Sequence, residues 1–143
     1  DPEGPEVYES LLHEQSDEIL IMSQQDGALV NALQRKAAVV LQKSIREGFG
    51  LTVSEAMWKG TPVIGGNVGG IRLQIDDGVD GFLVSNIEEA AERIVRLVRD
   101  VVLAREMGER AREKVRQHFL LSRYLEQYLD LFNSFETVYK LKQ

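Results

Sequence analysis

Four short apolar segments, separated by stretches with helical periodicity, constrain the fold of this sequence more than any other feature. They occupy residues 19–22 (ILIM), 39–42 (VVLQ), 62–65 (PVIG) and 82–84 (FLV). Apolar runs without polar alternation are typical of strands that are buried on both faces of a parallel sheet. The segments between them, at residues 28–36, 52–59 and 71–75, fit helices. This alternation predicts βαβ units, and therefore an α/β fold with a parallel sheet.

The remainder of the chain, from about residue 86, has the pattern of three helices. Apolar residues of the first repeat at helical spacing and predict a face that packs on the core: Ile87, Ala90, Ala91, Ile94, Val95 and Val98. On the last helix a stripe of aromatic and leucine side chains is better explained by core packing than by ligand stacking: Tyr124, Leu125, Tyr128, Leu129, Phe132 and Phe135.

Length, charge and composition exclude several classes of function. The 143 residues are enough for one domain with a core, so residues 1–143 are assigned to a single domain with a helical C-terminal tail from about residue 86. The net charge of −6, without a basic cluster, argues against a nucleic-acid partner. The absence of cysteine excludes disulfides and thiolate metal sites. No apolar run approaches the length of a membrane span, so we expect a cytoplasmic protein with no membrane partner.

The segment at residues 44–55 (SIREGFGLTVSE) has the composition of a ligand-binding loop. It follows the apolar run at 39–42 and leads into a helix, which places it at the carboxyl end of a parallel strand, where open α/β sheets bind ligands. Gly48 and Gly50 allow close approach of the backbone, and the N–H groups at a helix start suit an anion. Glu47 and Glu55 are its two carboxylates.

A purely structural interpretation of the same segment is also available. Residues 52–55 (TVSE) match a capping box, in which Thr52 caps the helix and Glu55 bonds back to the cap. Gly48 and Gly50 then serve a tight turn, and Glu47 is a solvated loop charge. Spacing alone leaves the two interpretations open.

Residues 46–71 (REGFGLTVSEAMWKGTPVIGGNVGGI) resemble the donor-binding motif of retaining nucleotide-sugar glycosyltransferases with the GT-B architecture. The signature of that family is a pair of glutamates separated by seven residues, which Glu47 and Glu55 match. Residues 77–84 (DGVDGFLV) follow in the same order, and the resemblance extends from about residue 19 to the last helix. With GGIRLQI at 69–75, the chain is most similar to the trehalose glycosyltransferring synthases within this family.

The resemblance implies a Rossmann-like parallel sheet with helices on both faces, forming an incomplete C-terminal GT-B donor-binding domain. It further implies an enzyme that transfers glucose from a nucleotide-glucose to glucose, forming trehalose. Two alternatives remain open. One is another GT-B glucosyltransferase, of the sucrose- or glycogen-synthase type, and the other is a non-catalytic α/β interaction module.

Roles for individual residues also follow from the resemblance alone. Glu47 is the catalytic residue, in the sense that it positions the donor hexose, and Glu55 holds the nucleotide ribose. The donor sugar and phosphate contact the backbone N–H groups of Gly48, Phe49, Gly50, Leu51 and Thr52. The substrates are a nucleotide-sugar donor and a sugar acceptor, and neither a metal nor a cofactor is expected.

The sequence departs from the family pattern by lacking the arginine and lysine that clamp the donor diphosphate and the preceding acceptor domain. A two-domain enzyme needs more residues than this chain provides. We therefore expect a C-terminal fragment that is inactive alone. An uncovered sheet edge and uncovered helix faces favour pairing with a second copy, so a homodimer is expected.

Overall fold

The computed structural model describes residues 4–23 and 26–140, with the side chains of residues 6–23 and 26–135. Contacts within the chain divide it into two compact units, which separate between Val30 and Asn31. The first unit contains α1 (Gly4–Leu12) and the start of α2 (Gly27–Lys36). The second contains, in order, β1 (Val40–Gln42), α3 (Leu51–Trp58), β2 (Val63–Gly66), α4 (Ile71–Gln74), β3 (Phe82–Val84), α5 (Ile87–Arg99), α6 (Val101–His118) and α7 (Leu121–Lys140).

The three strands form one parallel sheet in the order β1-β2-β3. Val40 pairs with Val63, and Ile64 pairs with Phe82. The predicted strands at 39–42, 62–65 and 82–84 are confirmed to within one residue at each end. The predicted α/β fold class is therefore confirmed, because parallel strands joined by helices are its defining feature.

The central strand β2 is buried on both faces, which explains why it lacks polar alternation, whereas Leu41 of the edge strand β1 is exposed. Val63 belongs to one buried cluster, with side chains from α3, α4 and the C-terminal half of α6. Its neighbour Ile64 belongs to a second cluster, with Phe82, Val84 and residues of α5 and α6. Successive side chains of a strand point to opposite faces, so the two clusters lie on opposite sides of the sheet.

The prediction of a strand at residues 19–22 is wrong. This segment is irregular, and Ile19, Leu20 and Met22 are exposed within the first unit. Its backbone bonds locally instead: the N–H of Ser16 donates to Ile19 O at 3.0 Å, and the N–H of Ile19 donates to Ser16 Oγ at 3.2 Å. An apolar run forms a strand only where another strand can pair with it. Here the backbone N–H and C=O of Ile19 bond to Ser16 instead.

The α5 helix packs through only part of the predicted face, Ala90 and Ile94, together with Leu97 beside it. Ala90 and Leu97 are buried, whereas Ile87, Val95 and Val98 are exposed. The buried side chains belong to the second cluster, together with Phe82 and Val84 of β3. Periodicity therefore predicted the helix correctly, and the side chains that pack, Ala90, Ile94 and Leu97, lie along one side of its apolar face.

The prediction that the stripe on α7 packs in a core is also wrong for the described chain. Tyr124, Leu125, Tyr128, Leu129, Phe132 and Phe135 are all exposed. The rings of Tyr124 and Tyr128 contact each other, with centroids 4.7 Å apart, and their hydroxyls are 2.9 Å apart. The stripe thus contacts mainly itself within the described residues.

None of the helices described here combines the length and apolar character that a bilayer crossing needs.

Backbone atoms of α6 touch the turn that follows α3. Gly60 ends that turn with a φ of +75°, and Gly108 lies opposite it in α6. A Cβ atom at Gly108 would lie only 1.9 Å from Gly60 O. The absence of a side chain at Gly108 therefore allows the two elements to approach each other at backbone distance.

Candidate functional site

The loop after β1 opens onto the carboxyl edge of the sheet, where the other two strands also end. A cavity of about 230 Å³ at this edge is lined by residues that follow each strand: Lys43, Ser44, Ile45, Gly66, Asn67, Val68, Val84 and Ser85. Parallel sheets bind ligands at this edge. The structure therefore places the 44–55 segment beside a preformed cavity.

The start of α3 excludes the capping-box interpretation. The N-cap is Gly50, with φ +85° and ψ +65°, and no side chain caps the helix. Thr52 is thus the second helical residue, too late to cap, and Glu55 lies on the second turn. The left-handed conformation at Gly50 sets this start, because a residue with a Cβ atom adopts it only with strain. Glu55 is consequently free of a capping role.

Glu55 is exposed and contacts a residue far away in the sequence. Its Oε2 accepts a hydrogen bond from Gln34 Nε2 at 3.2 Å. Gln34 lies on α2 and is buried. One oxygen of the carboxylate is thus engaged by the protein, while the side chain remains accessible from solvent.

Glu47 is half-buried and receives hydrogen bonds from two side chains at the end of β1. Ser44 Oγ donates to Glu47 Oε2 at 3.3 Å, and Gln42 Nε2 is 3.5 Å from the same oxygen. Gln42 Nε2 also donates to Ser44 Oγ at 2.8 Å. Since this carboxylate is tied to the strand end, it is not the solvated loop charge of the structural interpretation.

The loops after β1 and β2 touch through glycine backbone. The N–H of Gly70 donates to Glu47 O at 3.3 Å. A Cβ atom at Gly69 would lie 1.8 Å from Glu47 O, and one at Gly70 would lie 2.2 Å from Gly48 O. Gly69 has a φ of +46°, which glycine adopts without strain. The double glycine at 69–70 therefore fixes the position of Glu47 and Gly48.

The side chains of Gln74 and Phe119 also contact the loop. Gln74, fully buried on α4, donates through Nε2 to the carbonyl of Phe49 and lies 3.4 Å from that of Gly50. The ring of Phe49 packs edge-on against Phe119, with centroids 5.9 Å apart. These contacts set the conformation of residues 48–51 before any ligand is present.

Replacing Gly70 with alanine tests this description of the paired loops. The φ of Gly70 is −69°, which alanine adopts freely, so the perturbation is the contact of the added Cβ atom with the backbone of Gly48 and Phe49. We expect G70A to lose about 1–2 kcal/mol of unfolding free energy through overpacking, measured by urea denaturation. Gly48→Ala is the matched control, because a Cβ atom there meets no atom within 4 Å. Equal stability of the two variants would contradict the described contact.

The structure brings the predicted residues together as one segment. Glu47, Gly48, Phe49 and Gly50 form the loop, and Leu51 and Thr52 form the first turn of α3. Sequence reasoning missed the glutamines that support them, Gln34, Gln42 and Gln74. Only Gln42 carried a usable signal, since it is the polar residue that ends an apolar run. Within residues 4–23 and 26–140, no cluster of three or more acidic or histidine side chains is arranged to hold a metal ion.

The structure thus has a parallel sheet, a glycine-rich loop between β1 and α3, and a glutamate on each side of the start of α3. The model of the family "Glycosyl transferases group 1" matches residues 4–114, and the chain belongs to this family. The predicted resemblance is thereby confirmed.

Individual relatives narrow the comparison. The chain is 47% identical over 140 residues to trehalose synthase of Thermococcus litoralis, covering 94% of this chain and 34% of that protein. Among solved structures it is similar to sucrose-phosphate synthase of Thermosynechococcus elongatus, with a TM-score of 0.80 and 27% identity over 96% of this chain and 35% of that one. It is also similar to HepE of Anabaena in complex with UDP, with a TM-score of 0.67 and 27% identity over 71% of this chain and 29% of that one. The chain thus spans about a third of the length of the curated relatives that it matches.

Proposed function

We propose that this chain is the donor-binding part of a retaining glycosyltransferase that transfers glucose from a nucleotide-glucose to glucose, forming trehalose. The observation that carries the proposal is the position of Glu47 and Glu55 on the two sides of the α3 start, in the segment that follows the carboxyl end of β1. The identity to trehalose synthase over nearly the whole chain supports this choice of product.

The chemistry of the proposed site follows from its groups. Glu47 accepts hydroxyls of the donor hexose, and Glu55 accepts from the ribose diol through the oxygen that Gln34 leaves free, since an ionised carboxylate only accepts hydrogen bonds. The bond between the anomeric carbon and the diphosphate oxygen breaks, the acceptor oxygen forms the new glycosidic bond, and the proton of the acceptor hydroxyl passes to the departing diphosphate. The N–H groups at the α3 start stabilise the charge on the departing diphosphate by up to about 2 kcal/mol. No protein nucleophile is required in this scheme.

An assay of the full-length protein tests the proposal. UDP-, ADP- and GDP-glucose are each supplied with free glucose, and the disaccharide is identified by NMR, which also reports the anomeric configuration. An α,α-linked product from the α-configured donor supports retention and trehalose formation. Release of nucleotide without trehalose from all three donors would contradict it.

A second candidate is transfer of glucose to a different sugar, and the likeness to sucrose-phosphate synthase favours it. The donor site would be unchanged, because acceptor choice depends on residues outside the described loop. Running the same assay with fructose and with sugar phosphates in place of glucose separates the two candidates. The preferred acceptor is the one with the highest kcat/KM.

Glu55→Ala is expected to weaken binding of the nucleoside diphosphate by about 10- to 100-fold, because charge-assisted hydrogen bonds to the ribose are lost. Isothermal titration of the full-length variant measures this change. Because Glu55 does not cap α3, its replacement is not expected to lower the unfolding free energy through loss of a cap. The control is Glu55→Gln, which retains an acceptor for Gln34. Unchanged affinity in both variants would assign Glu55 a purely structural role.

A further inference from the structure

Gln34 is a buried amide whose two ends are both engaged by residues of α3 and its C-cap. It is 6% exposed on α2. Its Nε2 donates to Glu55 Oε2 at 3.2 Å, and its Oε1 accepts from Lys59 Nζ at 2.6 Å. The three side chains form a continuous chain of hydrogen bonds from an ammonium group, through an amide, to the exposed carboxylate.

The orientation of the Gln34 amide is determined by Lys59. An ammonium group only donates hydrogen bonds, so the oxygen of the amide must face it. The NH₂ group must then face Glu55, where it meets an oxygen that only accepts when ionised. Lys59 is itself held, since its Nζ also lies 3.3 Å from Glu55 O.

The backbone of Gln34 is anchored as well. Thr61 Oγ1 donates to Gln34 O at 2.6 Å, and both groups are buried. Thr61 follows α3 by a short turn, so α2 is fixed to the C-terminal end of the helix that carries Glu55. An apolar side chain of equal length would fill the same space between α2 and α3, which means that packing alone does not account for an amide at this position.

Glu55 is exposed and has three side-chain torsions, so without a partner its carboxylate would occupy several rotamers. A bond to one oxygen restricts those rotamers and leaves the other oxygen for a ligand. Ligand binding then avoids the entropic cost of ordering the side chain, which is the general benefit of preorganisation.

We propose that Gln34, oriented by Lys59, is a positioning residue for Glu55 and thereby sets the preference of the site for a ribose over a deoxyribose. This inference rests on the proposed function, in which Glu55 binds the ribose diol. It assigns to α2 a role in recognition of the nucleotide, although α2 precedes the motif in sequence.

The test compares nucleotides that differ by one hydroxyl. Isothermal titration of the full-length protein gives the ratio of the Kd for a 2′-deoxynucleoside diphosphate to that for its ribonucleotide, with dUDP/UDP, dADP/ADP and dGDP/GDP as the probes. For the tightest pair we expect a ratio of about 10 or more in the unaltered protein, the value of one charge-assisted hydrogen bond. Gln34→Met keeps the length of the side chain, removes both bonds, and is expected to lower the ratio below about 3.

Two further variants separate positioning from general damage. Gln34→Glu keeps the acceptor for Lys59 and turns a carboxylate oxygen toward Glu55, so it is also expected to lower the ratio. It carries the test if Gln34→Met fails to fold. Gln42→Met is the matched control, since Gln42 contacts Glu47 instead of Glu55 and its loss is expected to leave the ratio unchanged.

Each outcome has a distinct meaning. A ratio that falls in Glu55→Gln and in both Gln34 variants, and persists in Gln42→Met, supports the proposal. A ratio that falls in Glu55→Gln and persists in folded Gln34 variants overturns the role of Gln34 and leaves the ribose contact of Glu55 intact. A ratio near one in the unaltered protein overturns the ribose contact itself, and the positioning role with it.

Discussion

Replacing Glu47 with glutamine is expected to lower the turnover of sugar transfer by about 100-fold in the full-length protein, because a misplaced hexose loses the alignment that the reaction needs. Affinity for the free nucleoside diphosphate should change by less than about twofold, since the proposed partner of Glu47 is the hexose. Steady-state kinetics on the nucleotide-glucose, combined with titration of the nucleoside diphosphate, measures the two quantities separately.

The control for this experiment is Glu88→Gln, the same chemical change at an exposed position on α5. It should leave both quantities unchanged. Normal turnover in Glu47→Gln would mean that Glu47 only anchors the loop, through its hydrogen bonds with Ser44 and Gln42. A parallel loss of turnover and nucleotide affinity would instead indicate that the loop as a whole had moved.

Gly108→Ala is expected to cost about 2–3 kcal/mol of unfolding free energy. The added Cβ atom would lie 1.9 Å from Gly60 O, and both partners are backbone, so a rotamer change cannot relieve the contact. Separating α6 from the turn after α3 disturbs the buried cluster around Met57 and Ala111. This overpacking outweighs the gain of up to about 1 kcal/mol from alanine in a helix. Urea denaturation of the chain, followed by circular dichroism, measures the change.

Gly27→Ala is the matched control, because Gly27 is also helical and a Cβ atom there meets nothing within 4 Å. Alanine at that position should be neutral or stabilising by up to about 1 kcal/mol. If both variants lost the same stability, the cause would be a general intolerance of substitution, and close contact between Gly60 and Gly108 would not be needed to explain it.

The strands of the sheet could be predicted because local sequence and tertiary environment agree there. Val63 and Ile64 are apolar in succession and are buried on opposite faces. The same reasoning failed at residues 19–22. Their composition is equally apolar, but the backbone groups of Ile19 form hydrogen bonds with Ser16. Apolar content indicates what a segment can do when a partner strand is present, and the partner is not encoded in the segment itself.

The prediction for α7 failed for a related reason. Periodicity correctly indicated a helix, and the described residues place nothing over Tyr128 and Phe132 that would bury them. An amphipathic pattern identifies a face suited to burial without identifying its partner.

The loop that forms the candidate site could be predicted from the sequence, but the glutamine side chains that support it could not. Spacing left a capping role for Glu55 open, and the structure removed it, because the N-cap is Gly50, two residues before Thr52. Gln34 lies 21 residues before Glu55, and its role depends on how α2 and α3 come together. Such a contact has no local signature in the sequence.

The bonds that Gln74 makes to the carbonyls of Phe49 and Gly50 have a consequence for the opposite side of those peptide groups. A trans peptide is planar, so its N–H points away from its C=O. Because both carbonyls are turned toward Gln74, the N–H groups of Gly50 and Leu51 point away from that side chain. The chain then presents a small patch of fixed positive potential built entirely from uncharged groups. Such a patch keeps its polarity at every pH at which the protein is folded.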